Sequence, residues 1–95
     1  SNAQNDLMWA MIDTLVKAQP EGRDMDKDSW KGALMHMAGF PVVMHPALDG
    51  NGVVILGYKS SRLSKVDMTL LIDAIDAYGA MHGVAFVKPE ENHHE

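Results

Sequence analysis

The chain has 95 residues, 46% of them hydrophobic and 22% charged, and a formal net charge of −5. That length makes one small domain, the composition is globular rather than disordered, and the acidic balance excludes a protein that is strongly cationic over its whole surface. Without cysteine there is no disulfide framework and no thiolate chemistry, which fits a reducing cytoplasm, and no apolar run approaches the roughly 18 residues of a membrane span.

Residues 1–3, Ser-Asn-Ala, read as the remnant of a cleaved expression tag and are set aside from fold reasoning. Native sequence then begins at Gln4 without a methionine, so the expectation is a fragment whose natural N-terminal part is missing. Met8, Ile12, Leu15 and Val16 recur at helical spacing and predict a first amphipathic helix, with Trp9 and Met11 flanking its apolar face and Pro20 and Gly22 ending it. A second helix is predicted behind Asp26 as N-cap, with a stripe of Trp30, Ala33, Leu34 and Met37 and a stop at Gly39 and Pro41. The period then changes. The apolar runs 42–44 and 53–56 flank Asp49-Gly50-Asn51-Gly52 and predict a β-hairpin, with Pro46 at an edge or in the connection.

The third helix, predicted over 65–82, has the clearest pattern. Met68, Leu71, Ile72, Ile75 and Tyr78 form one stripe, Ser64 and Asp67 have the spacing of a capped start, and Gly83 suits the C-terminal end. Residues 84–87, Val-Ala-Phe-Val, predict a further short strand, and 88–95 a polar flexible tail. The fold class that follows is α+β and helix-dominated: one domain over 4–87, with three helices packed on a small β-hairpin.

Candidate chemistry is sparse. Lys59, Arg62 and Lys65 gather basic charge within a few positions of an acidic chain, with Ser60 and Ser61 between them. A loop entering a helix N-terminus suits a phosphate, although from spacing alone the segment reads more simply as a solvated lead-in to a capped helix. Lys65 stands against the dipole of its own helix, at a cost of roughly 0.3–1 kcal/mol. The five histidines lack the paired helical spacing of a zinc site, so no metal and no cofactor is expected. Asp73 and Asp76 read as a solvated face, and nothing positively indicates an enzyme. Trp9, off the main stripe, is a candidate for stacking on a base.

Read in order, the motifs resemble the phage NinB family, the Orf recombination proteins of lambdoid phages. The residues that carry the resemblance are Gln4-Asn5 with Trp9 and Ala10, the run from Asp26 to Lys31 with its Ser-Trp-Lys end, Gly50-Asn51-Gly52 leading into Val53–Gly57, Ser60-Ser61-Arg62, and the helix that follows to Val84. The resemblance spans about residues 4–87.

It implies a recombination mediator rather than an enzyme, cytoplasmic in the infected bacterium and homodimeric, with no membrane partner. Such a protein binds single-stranded DNA without sequence preference and helps a recombinase load on strands covered by the bacterial single-strand-binding protein, which it also contacts. By position, Gln4, Trp9 and Arg62 match family residues associated with DNA contact. Lys59 and Lys65 join them as phosphate neutralisers. The family's strand-bearing N-terminal region and basic C-terminal helical tail have no counterpart here. Two other readings stand beside this one: a protein-interaction module acting through a methionine-rich surface, and a metal-dependent nuclease using Asp73, Asp76 and a histidine.

Overall fold

A computed structural model of the chain describes residues 2–58 and 63–86. In chain order it contains α1 (Asn2–Ala18), a 3-10 turn (Pro20–Gly22), α2 (Lys27–Met37), strands β1 (Val43–Pro46) and β2 (Val53–Gly57), and α3 (Lys65–Met81). This is the predicted architecture of three helices and an antiparallel hairpin. Asn2 and Ala3, set aside in the sequence reading, belong to α1.

Local chemistry explains the helix ends. Ala18 closes α1, and Gln19 follows in the left-handed region at φ 49°, directly before Pro20. The Asp26 carboxylate accepts from the Ser29 N–H at 2.8 Å and starts α2. That hydrogen bond holds the Asp26 carboxyl below its ordinary value of 3.8. Ser64 Oγ accepts from the Asp67 N–H at 3.0 Å and starts α3. Gly39, at φ 91°, lets α2 end in a Schellman motif: the Phe40 N–H reaches the Met35 carbonyl at 3.0 Å and the Gly39 N–H reaches that of His36 at 3.0 Å. Gly83 ends α3 similarly, with the Val84 N–H on the Gly79 carbonyl at 2.8 Å.

The three helices pack on one another around Met8, Met11, Ile12, Leu15, Trp30, Leu34, Met35, Met68, Leu71, Ile72 and Ile75. Burying each such side chain stabilises by roughly 1.5–3 kcal/mol before the entropy of ordering is set against it. Two methionines depart from the predicted stripes. Met11 and Met35 are fully buried, whereas Ala33 and Met37 are exposed. Met37 is the last residue of α2 and borders a surface cleft beside Arg23, Met25 and Tyr78.

The expected strand after Gly83 does not form over Val84, Ala85 and Phe86. The chain instead turns back at Gly83, and the Phe86 ring occupies the place where a Cβ on Gly79 would stand. Val87 and the tail 88–95 lie outside the described residues.

The hairpin is the least covered element. β1 and β2 pair as Met44 with Ile55, His45 with Val54 and Pro46 with Val53. Leu56 is the extra residue of a bulge beside Gly57, which has φ 98°. Met44, Val53, Val54, Ile55 and Leu56 are all exposed, at 45% or more of their surface.

Candidate nucleic-acid interface

Trp9 sits in the first half of α1, partly buried against the core and partly open. α2 crosses beside it and presents Lys27 and Lys31, one helical turn apart on a single face. The Lys31 Nζ lies 5.0 Å from the Trp9 ring centroid and the Lys27 Nζ 5.6 Å from it. Both distances are within cation–π range, about 0.5–1 kcal/mol each at an open site. Burial of its stem pushes the Lys31 amine below the ordinary ammonium value, and the negative charge of Asp28 partly opposes this. The cluster therefore joins an aromatic face to two ammonium groups at the surface of an acidic chain.

A second group forms at the other predicted positions. The Gln4 side-chain amide donates to Thr69 Oγ1 at 2.9 Å and to the Lys65 carbonyl at 3.4 Å. This ties the start of α1 to the first turn of α3, whose Lys65 side chain is exposed. Gln4 and Lys65 are thus brought together, but by a helix-to-helix clamp that engages the glutamine amide. Gln4 and Trp9 are five residues apart on α1, which puts them about 140° apart around its axis. The structure therefore makes two groups of the described candidates, Gln4 with Lys65 and Trp9 with Lys27 and Lys31. Lys59 and Arg62 lie outside the described residues; their chain neighbours Tyr58 and Leu63 are partly buried against the core.

Lys27 and Lys31 are the residues that sequence reasoning missed. Their signal was present, since two lysines four apart on a predicted helix share a face. What the sequence does not show is that α2 lays this face against Trp9. Tyr58 was missed as well. Its hydroxyl is 2.9 Å from His36 Nδ1, which links the end of β2 to α2.

Asp73 and Asp76 are on the exposed side of α3, away from its buried stripe. Among the described residues no three His, Asp or Glu side chains gather in a metal-binding arrangement. Among the same residues no helix is long and apolar enough to cross a membrane.

A family model described as NinB protein matches residues 1–87. The NinB protein of Escherichia phage lambda is 33% identical over 82 residues, which are 85% of this chain and 56% of that protein. A prophage-derived NinB protein of Escherichia coli matches to the same extent. The chain thus spans little more than half the length of the curated relatives it matches. A solved NinB structure from structural genomics superposes with a TM-score of 0.80 at 30% identity, covering 92% of this chain and 65% of that one.

Proposed function

This chain belongs to the NinB family, and from that premise we propose that it is a non-catalytic phage recombination protein that holds single-stranded DNA without sequence preference. In this reading it acts in the cytoplasm of the infected cell. It helps a recombinase to load on strands covered by the bacterial single-strand-binding protein, which it contacts directly. The observation that carries the reading is the half-open Trp9 ring flanked by Lys27 and Lys31 at 5.6 and 5.0 Å. Stacking on an indole is indifferent to base identity, and ammonium groups beside it neutralise phosphates, so the chemistry is that of sequence-tolerant single-strand binding. Arg62 and Lys59 would add phosphate contacts, and Lys65 another from the start of α3.

Salt dependence tests this directly. Binding of a fluorescein-labelled oligonucleotide, followed by anisotropy, should weaken linearly on a log–log plot against salt. Each lysine lost from a phosphate contact should flatten the slope by about 0.7, so Lys27→Gln with Lys31→Gln should flatten it by about 1.4. A wild-type chain that binds no oligonucleotide at low salt would sink the reading.

The protein-interaction reading is favoured by a different observation, the hairpin. Residues 42–58 carry a single acidic side chain, Asp49, and no lysine or arginine, while the strands expose apolar side chains. Edge strands without charge are ready to pair with another chain. We infer that the hairpin supplies the homodimer contact. Ile55→Lys places a charge on a side chain that is already 65% exposed, so it should leave the helices folded and shift sedimentation equilibrium from dimer to monomer. A dimer unmoved by this change would place the contact elsewhere.

A further inference from the structure

The Trp9 cluster does not end at Lys31. On its other side this lysine borders a groove of about 270 Å³ between α2 and the end of β2, shared with Asp28, Gly32, Leu56 and Tyr58. We propose that this groove is a second base-binding subsite, holding the nucleotide next to the one stacked on Trp9, so that single-stranded DNA runs along α2 from Trp9 to Tyr58. The proposal rests on the single-strand-binding reading above.

Three features carry it. Lys31 serves both subsites, lying 5.0 Å from the Trp9 ring centroid while lining the groove. It stands where a phosphate linking two adjacent nucleotides would need a counter-charge. Gly32 keeps the groove open: nothing lies within 4 Å of the point where a Cβ would project. A glycine inside a helix costs roughly 0.5–1 kcal/mol against alanine, and here the missing side chain is what leaves the space. The third feature is Tyr58, an aromatic ring on the groove wall steadied by the 2.9 Å contact with His36 Nδ1 and an edge-on ring contact at 6.5 Å. A steadied ring stacks a base with less ordering still to be done.

The charges also orient the strand. Asp28 lines the same groove, and its carboxylate repels phosphate but accepts from a base N–H, the ring N3–H of thymine included. The backbone therefore follows Lys27 and Lys31, and the base enters between Gly32 and Tyr58.

The test is Gly32→Leu, measured with Trp9→Ala and wild type by anisotropy against labelled oligothymidylates of graded length. Leucine favours the helix over glycine, so the fold survives while the groove fills. Thermal melting checks this, and Tyr58→Leu removes the ring, with its contact to His36, while leaving the sequence of α2 unchanged. Both groove variants should bind at least about fivefold more weakly, in line with losing one stacked base, and should need one nucleotide fewer to reach their full affinity. If both bind as wild type while Trp9→Ala is impaired, the groove proposal is overturned and the single-strand-binding reading stands. If wild type binds none of the oligonucleotides at low salt, both fall.

Discussion

Trp9→Ala should lower affinity for single-stranded DNA by about 5- to 150-fold, the 1–3 kcal/mol typical of losing a stacked base. The indole is the one aromatic group described here that combines an open face with two cations, Lys27 and Lys31, within 6 Å. In the free chain those ammonium groups sit over the ring. An incoming base takes that place, and the two flexible lysines move onto the flanking phosphates. There a charge-assisted hydrogen bond is stronger than an open cation–π contact. The ring and the lysines therefore act as one unit, and their losses should not add. The triple variant with Lys27→Gln and Lys31→Gln should be weaker than Trp9→Ala by less than the lysine pair costs alone. Trp9→Phe should recover part of the binding. The same titrations by tryptophan emission should show quenching in wild type, lost in Trp9→Ala because the buried Trp30 does not meet DNA. Unchanged affinity of Trp9→Ala at low salt would remove Trp9 from the interface.

The other large effect is on stability, and it separates two replacements of one residue. Trp30 is 2% exposed, packs edge-on against Tyr78 with ring centroids 5.7 Å apart, and belongs to the core where α2 meets α1 and α3. Trp30→Ala should destabilise by about 3–5 kcal/mol, enough to take much of the margin of a domain this small. Its indole N–H, however, is buried with no acceptor among the described residues. Leaving such a donor unpaired costs about 1–3 kcal/mol. Trp30→Phe keeps most of the apolar volume and deletes that donor, so its net cost should fall below about 1.5 kcal/mol. Urea unfolding followed by circular dichroism measures both. A phenylalanine variant as unstable as the alanine one would mean that the N–H is satisfied after all and that the indole shape itself matters.

These residues show what could be read in advance and what could not. Asp26, Ser64, Gly39 and Gly83 mark helix ends through hydrogen bonds to backbone groups within a few residues, so their roles are legible locally. The stripe of α3 is legible because one face of it is buried along its length. The Trp9 cluster is different, since it depends on how α2 packs across α1, and no periodicity in either helix encodes that. Val53–Leu56 is legible only in part. Four consecutive apolar residues predict a hairpin strand, which forms, but nothing in their pattern tells that they are exposed at 45–65%. The final strand fails for a specific reason as well: β-branched and aromatic residues favour extension, but the Phe86 ring finds its place against the bare backbone of Gly79.

The exposed hairpin gives this small protein two stabilities instead of one. Two strands without a third neighbour are marginal in water, and this pair contributes none of its side chains to the fully buried core. Up to the point where Tyr58 is tied to His36 of α2, β1 and β2 should therefore open and close on their own while α1, α2 and α3 stay closed, as a separate cooperative unit of low free energy. A melting midpoint would describe the helices and say almost nothing about the hairpin. Any partner that covers the hairpin must first stop its opening, and that ordering cost lowers the affinity such an apolar surface would otherwise give.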